Sequence, residues 1–338
     1  MSRRIVGLEI GPESIRAVQI HHKFGGKLVV EKYGEVLGSH GVDANGRIVD
    51  VELLAKQIKS LWISTKFSSK HVALGVGGTD VFVREFSVPE MKQESLAAAL
   101  PSLAEGNLPM PTTELMLDFY PARINANAEQ RMVSGLLLAA TKSATDALVA
   151  AVEQAGLKPQ TIDLIPFALL RQLGASQADL DITAIVHASG GFLSVIVAAG
   201  STPTFIRLVP LPLAKKTVQN QDEQKDESLD ALENPSDGEI ENPYSALQEV
   251  ALRELRDTLA YYGKNHPEEP ISRLFTSGKG LDNSEWLTLL GQKIWLPAES
   301  HVQGEYHHMV SKDKKNQKYA VPSEYLVPLA LAKGVWRG

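Results

Sequence analysis

RIVGLEIGPESIRAVQI, residues 4–20, is the stretch from which the fold is read. Arg4 to Ile10 is apolar and strand-like, Gly11-Pro12-Glu13 turns, and Ser14 to Ile20 alternates again. Lys23-Phe24-Gly25-Gly26-Lys27 makes a second turn, and Leu28 to Val36 returns as a third strand. The pattern recurs in the second half. Asp181 to His187 is strand-like, Ala188-Ser189-Gly190-Gly191 turns, and Phe192 to Ala198 is strand-like. Gly200-Ser201-Thr202-Pro203 turns again before Thr204 to Val209. Two copies of one strand–turn–strand–turn–strand unit point to an internal duplication, although the copies share little identity.

Between and after the copies the signals are helical. Asp50 is placed to cap a helix in which Leu54, Ile58 and Leu61 recur at helical spacing. His71 to Val76 and Asp80 to Phe86 read as strands around Gly77-Gly78. Residues 87–157 read as an inserted α-β-β-α unit: a helix over 92–105, strands over 114–120 and 132–140, and a helix over 143–156. A long helix over 246–263 carries Leu247, Val250, Leu252, Leu255, Leu259 and Tyr262 as its apolar stripe. A strand over 271–276 precedes Ser277-Gly278-Lys279-Gly280, and a short apolar helix, 322–333, comes last.

Composition narrows the chemistry. The 338 residues are 43% hydrophobic and 22% charged, as expected of a folded water-soluble chain of about two domains. There is no cysteine, which excludes disulfides, thiolate metal sites and a cysteine nucleophile. The N-terminus is too short in apolar residues before Glu9 for a secretion signal. The net charge of −6 argues against broad nucleic-acid binding. That charge is unevenly spread: residues 222–241 hold nine acidic residues opposed by Lys225 alone, so the remainder of the chain is near neutral. Residues 215–241 read as a flexible acidic insertion. His301, His307 and His308 lie among lysines with no acidic ligand to frame a metal, and no catalytic or metal-ligating residue is assigned. His21 and His22 read as a solvated hairpin edge, and Ser189 lacks the surroundings of a hydrolase nucleophile.

Three glycine turns follow apolar strands: Gly11-Pro12-Glu13-Ser14, Ser189-Gly190-Gly191 and Ser277-Gly278-Lys279-Gly280. Backbone N–H groups in such turns can ring a phosphate. With Val6 to Gly11, Gly41 to Asp50, Val72 to Val76, Val83 to Met91, Gly135 to Lys142 and Glu153 to Pro159 in this order and spacing, the chain resembles the actin-like ATPases. Within them it resembles the PilM-type type IV pilus assembly proteins related to FtsA. The resemblance implies an α/β, actin-like ATPase fold of two duplicated domains with an inserted FtsA 1C-like (SHS2-like) subdomain. Residues 1–86 and 158–180 would form the first domain, with 320–338 packing back on it, 87–157 the insert, and 181–319 the second domain.

The resemblance also implies a cleft for Mg–ATP, with nucleotide contacts at Glu9, Gly11, Ser14, Ser189, Gly190, Gly191, Glu254, Gly278 and Gly280. Several positions depart from that chemistry. Pro12 has no N–H to offer and Glu13 repels phosphate. His187 stands where the second hairpin would carry an aspartate, and imidazole is a poor ligand for magnesium. Val209-Pro210-Leu211-Pro212 replaces a glycine pair, and Lys279 interrupts the third turn. Glu254 reads equally as a ribose contact or as a helix charge paired with Arg253 or Arg256.

For function the resemblance implies a cytosolic scaffold of the pilus inner-membrane platform, peripheral at the inner face of the membrane and held there only through a partner. That partner is a PilN-like protein with one membrane span, whose cytosolic N-terminal segment docks in a groove between the first domain and its insert, alongside other platform and motor components. An active nucleotide switch and an FtsA-like filament are the alternatives.

Overall fold

Strand β1 (Arg3–Ile10) is buried continuously from Ile5 through Glu9, as a central strand covered on both faces must be. It runs antiparallel to β2 (Ser14–His22), which pairs with β3 (Leu28–Leu37), and parallel to β4 (His71–Val76). β4 lies parallel to β8 (Lys158–Leu164), so the first sheet has the order β3-β2-β1-β4-β8. The second sheet repeats this plan. Its centre is β9 (Ile182–Ser189), antiparallel to β10 (Phe192–Ala199) and parallel to β12 (Arg273–Gly278). β11 (Thr202–Pro210) and β13 (Ala298–Ser300) complete the order β11-β10-β9-β12-β13. The duplication read from the sequence is therefore a duplication of topology. This structure is a computed structural model; it describes residues 3–23, 28–38, 40–125, 131–172, 181–211, 244–300, 311–312, 318–319 and 321–335. The acidic segment at 215–241 and His301, His307 and His308 lie outside the described residues.

Helices stack on these sheets in layers. α1 (Val51–Thr65) starts where Asp50 caps it, the carboxylate accepting a 2.9 Å hydrogen bond from the Leu53 N–H. Its Leu54, Ile58 and Leu61 pack on Val6, Leu8, Val72 and Leu74. The opposite face of the first sheet meets α7 (Leu326–Gly334), which packs on β1, β2, β4 and α4 (Ile165–Gln172). α4 in turn touches β10 and β11 of the second sheet. One core thus runs from Ile5 and Ile20 through Leu169, Leu329 and Leu331 to Ile185 and Ile196. Beyond the second sheet, α5 (Ser245–Asn265) and α6 (Ser284–Ile294) bury Leu255, Tyr262, Trp286 and Leu290 against Leu193, Val195 and Val197.

The insert differs from its expected outline at both ends. β5 (Val81–Pro89) pairs antiparallel with β7 (Met132–Thr141), which pairs with β6 (Leu115–Asn125), giving a three-stranded sheet β5-β7-β6. The boundary expected at residue 87 therefore falls inside β5. α2 (Gln93–Ala104) covers this sheet, with Leu100 and Ala104 against Val88, Phe119 and Leu137. α3 (Lys142–Gln154), expected to close the insert, packs on α1 instead, and Leu148, Ala151 and Val152 join the core of the first sheet. Three buried apolar positions on one face are better satisfied by that larger sheet than by a three-stranded one already covered by α2. On α5 the buried line is Gln248, Ala251, Leu255, Thr258 and Tyr262. Small residues at 251 and 258 let the helix approach the sheet, and Leu247, Val250, Leu252 and Leu259 of the expected stripe flank that line, partly buried.

The closest approach in the central layer is at Gly7, where a Cβ would run into the carbonyl oxygen of Pro328 and the backbone of Ala332. Gly7→Ala is expected to destabilise the chain by about 1–3 kcal/mol, the usual range for overpacking a filled core. Urea denaturation would measure it, and an unchanged midpoint would show that α7 is free to retreat.

Candidate functional site

The two hairpins that open the duplicated sheets meet tip to tip. In the first, the Gly11 N–H donates to the Ser14 carbonyl at 3.0 Å, closing the Gly11-Pro12-Glu13 turn. In the second, Gly190 and Gly191 both have positive φ, 56° and 81°, the backbone demanded by a two-residue turn between β9 and β10. A Cβ on Gly11 would lie 2.5 Å from the Gly190 Cα, so the tips are in van der Waals contact. Ser14, which closes the first turn, is buried. Of the nucleotide contacts implied by the sequence, Glu9, Gly11, Ser189 and Gly190 are brought together here.

The electrostatics of this junction centre on Glu9, 2% exposed. Burial pushes its carboxyl up from the usual carboxylate range, while the charge of Arg16, its cross-strand partner, and the Ser189 hydroxyl pull it back. Arg16 itself holds Glu35 at 3.0 Å. On the other sheet His187 is 1% exposed, and its Nδ1 lies 2.8 Å from the Ser277 hydroxyl, the residue paired with it on β12. One nitrogen of the imidazole is thus taken up within its own sheet.

The third turn reaches across to the first. Lys279 Nζ lies 2.9 Å from the Glu13 carboxylate, a half-exposed ion pair linking residues that the sequence sets far apart. Gly278 and Gly280, both at positive φ, fold the turn back on the sheet, where the Lys279 N–H donates to the Ala188 carbonyl at 3.0 Å. The Gly280 carbonyl accepts from the Gln248 side chain at 2.7 Å, and the Tyr244 ring lies against Gly280. Phe192, next after the second hairpin, enters the first half: a Cβ on Gly46 would lie 3.0 Å from its ring, and one on Gly78 2.9 Å. Glu254 does not join this group. It pairs with Arg207 of β11 at 3.1 Å and with Arg253 at 3.3 Å.

At the first tip Pro12 offers no N–H, and Glu13 presents a carboxylate already neutralised by Lys279. Among the described residues no three His, Asp or Glu side chains converge on a point where they could hold a metal ion. The cross-cleft partners, Glu13 with Lys279 and Phe192 with Gly46 and Gly78, were not legible as such, because each joins segments more than a hundred residues apart or in different halves. The Asn45-Gly46 turn carried the one sequence signal for that face: Asp43 accepts from the Asn45 and Arg47 N–H groups and holds it rigid. The expected solvated edge at His21 is likewise revised, since its Nδ1 lies 3.1 Å from Glu31.

A second concave region lies between the insert and the second half. β5 and β11, each the outermost strand of its sheet, flank a cavity of about 700 Å³ lined by Val83, Arg84, Phe205, Arg207, Leu208 and Tyr261. Below it the insert and the segment that follows α5 are bridged by His266 to Glu85 at 3.0 Å and by an Arg123–Glu269 ion pair. Arg123 holds the Glu269 carboxyl below its usual range.

The type IV pilus assembly protein PilM family matches residues 7–207, more than half of the chain. No curated protein matches it in sequence. Among solved structures, one described as the PilM–PilN type IV pilus biogenesis complex is similar, with a TM-score of 0.77 at 20% identity over 99% of each chain. The ethanolamine utilization protein EutJ from Carboxydothermus hydrogenoformans has a TM-score of 0.50 at 10% identity, over 98% of this chain and 89% of its own. The fold is that of the actin-like ATPases.

Glu9 and Lys279 each yield a test. A carboxyl raised by burial binds its proton more tightly when folded, so stability falls as pH rises from the ordinary carboxylate range through the folded pKa. Glu9→Gln should therefore raise the melting temperature at neutral pH, with the gap to the parent closing as the pH drops into the carboxylate range. A gap independent of pH would contradict this. Lys279→Glu should cost no more than about 1 kcal/mol, given the exposure of the pair. It should nonetheless speed hydrogen exchange at the 277–281 turn, and Glu13→Lys in the same chain should reverse the effect.

Proposed function

The chain belongs to the type IV pilus assembly protein PilM family, and from that premise we propose that it is a cytosolic scaffold that docks an extended peptide rather than an ATP-driven machine. The peptide is the short cytosolic N-terminal segment of a PilN-like protein with a single span of the inner membrane. Other components of the pilus platform and its motor would assemble around the same pair. No helix among the described residues is long and apolar enough to cross a membrane, and the scaffold reaches the inner face of the membrane through this partner.

One observation carries the docking part of this reading: two outermost strands from different sheets border a single cavity. An extended segment laid there gains main-chain hydrogen bonds from a strand edge and pockets for alternate side chains. The apolar lining of Val83, Phe205 and Leu208 suits aliphatic side chains, and Arg84 suits a polar or acidic one. The resemblance implies a groove between the first domain and the insert; the one proposed here lies beside it, with β5 and Thr79 on one side and β11 on the other.

The cleft is degenerate in this proposal. Its hairpins touch, its first turn carries a carboxylate at the tip, and Lys279 supplies from within the positive charge that would otherwise face a phosphate. The chain does not hydrolyse ATP, and the division into two duplicated domains and an insert serves to hold the groove.

Fluorescence anisotropy with a labelled peptide of the partner's N-terminal segment tests both parts together. The peptide should bind, Leu208→Glu should weaken it about ten-fold, or about 1.4 kcal/mol, and Mg–ATP should leave its affinity unchanged. Failure of the peptide to bind would sink the docking reading. Binding that requires Mg–ATP would favour the nucleotide switch instead.

A further inference from the structure

We propose that the end of the first sheet remote from the cleft is a docking surface for a bilayer carrying anionic phospholipid; the inference rests on the reading that a membrane-spanning partner brings the chain to a membrane. The register of the strands gathers cations there. Arg3 lies opposite His22, Arg4 opposite His21, and β4 is entered at this same end through Lys70. Lys158 opens β8 beside His71, its N–H donating to the Lys70 carbonyl at 2.8 Å. Lys23 follows β2, and Lys66 ends α1. Arg3, Arg4, Lys23, Lys66, Lys70 and Lys158 are all exposed.

Among the described residues the carboxylates near this end do not cancel them. Glu31 is engaged by Arg4 at 2.8 Å, by His21 and by the Gln19 side chain at 2.7 Å. These donors keep it ionised against the cost of burial, so it offsets one charge. Glu153 stands on the last turn of α3. The C-terminal carbonyls of α1 also point this way, and Lys32 donates to one of them, that of Lys66. A positive excess remains in a chain whose other half carries the strongly acidic segment.

Two features favour a lipid surface over an acidic protein segment. The cations sit on flexible stems along the rim of a sheet, an arrangement that reads charge density rather than sequence. Within them opens a cavity of about 700 Å³ lined by Arg4, His21, Lys23, Glu31, Lys32 and Ser68; Glu31 takes up Arg4 and His21, so a headgroup phosphate there would be met by Lys23 and Lys32. This surface lies at the opposite end of β1 from Gly11, so it leaves the cleft free when the bilayer is engaged.

Cosedimentation of the full chain with vesicles decides the matter. It should pellet with phosphatidylcholine mixed with phosphatidylglycerol, not with phosphatidylcholine alone, and raised salt should release it. Lys23→Glu, Lys70→Glu and Lys158→Glu should each lower the partition coefficient about five-fold or more, the equivalent of about 1 kcal/mol per cation. Lys264→Glu and Lys293→Glu, on helices of the second half, should leave it unchanged. Equal pelleting with neutral vesicles, no pelleting with either, or an equal loss in both sets of variants would overturn the proposal. Peptide binding measured without vesicles should be the same in all five variants. Loss of vesicle binding with peptide binding intact separates this surface from the groove. If the peptide binds to no form of the chain, it is the docking reading that has failed.

Discussion

The packing of a short apolar layer between the two sheets is the constraint on which the rest of the molecule depends. α7 is buried at every residue from Leu326 to Ala332, and α4 buries Ala168, Leu169 and Leu170 beside it. A helix that is apolar all round must have protein on all sides. The first sheet supplies one side through Gly7, whose missing side chain admits the Pro328 carbonyl, and the second supplies the other through Ile185, Ile196 and Ile206. Because one layer is shared, the halves cannot be treated as independent bodies. Their spacing is set by side-chain volume, and both the hairpin contact and the β5–β11 cavity inherit that spacing.

Electrostatics at the cleft follows from the same geometry. Duplicated sheets facing each other bring equivalent hairpins tip to tip, and at that point water is displaced. Glu9 is then a carboxyl with little solvent and, among the described residues, no hydrogen-bond partner on either oxygen, its burial eased by the charge of Arg16, while His187 turns one ring nitrogen to Ser277. Nearer the surface the Glu13–Lys279 pair links the first and third turns. It is weak as a source of stability but strong as a local neutraliser, since each charge removes the other's field at the place where an anion would sit.

Much of this was legible beforehand. The hairpin strands, the Asp50 cap and the helix starts are local, written in alternation, turn residues and side-chain capping within a few positions. The duplication was visible as repeated turn chemistry. β5 and α3 were harder. Val81 to Phe86 alternates as a strand wherever it lies, and its sheet is settled by which strand, β7 or β4, offers an edge. The α3 stripe of Leu148, Ala151 and Val152 shows that the helix has a buried face without showing against what. Glu254 was open to two readings, and Arg207 closed the question from another strand.

By itself the sequence determined the α/β class, the order of strands and helices, the two hairpin turns and the absence of thiol chemistry. It also marked the positions, Pro12, Glu13, His187 and Lys279, that depart from the phosphate chemistry implied by the resemblance. Only the tertiary structure decided that Glu13 and Lys279 neutralise each other, that Glu9 is cut off from solvent, that Phe192 inserts between Gly46 and Gly78, and that β5 and β11 share a cavity. The division has one physical origin. Backbone torsions and hydrogen-bond patterns respond to neighbours within a few residues. Burial and charge pairing respond to whatever the fold brings within a few ångströms, and here that comes from the other half of the chain.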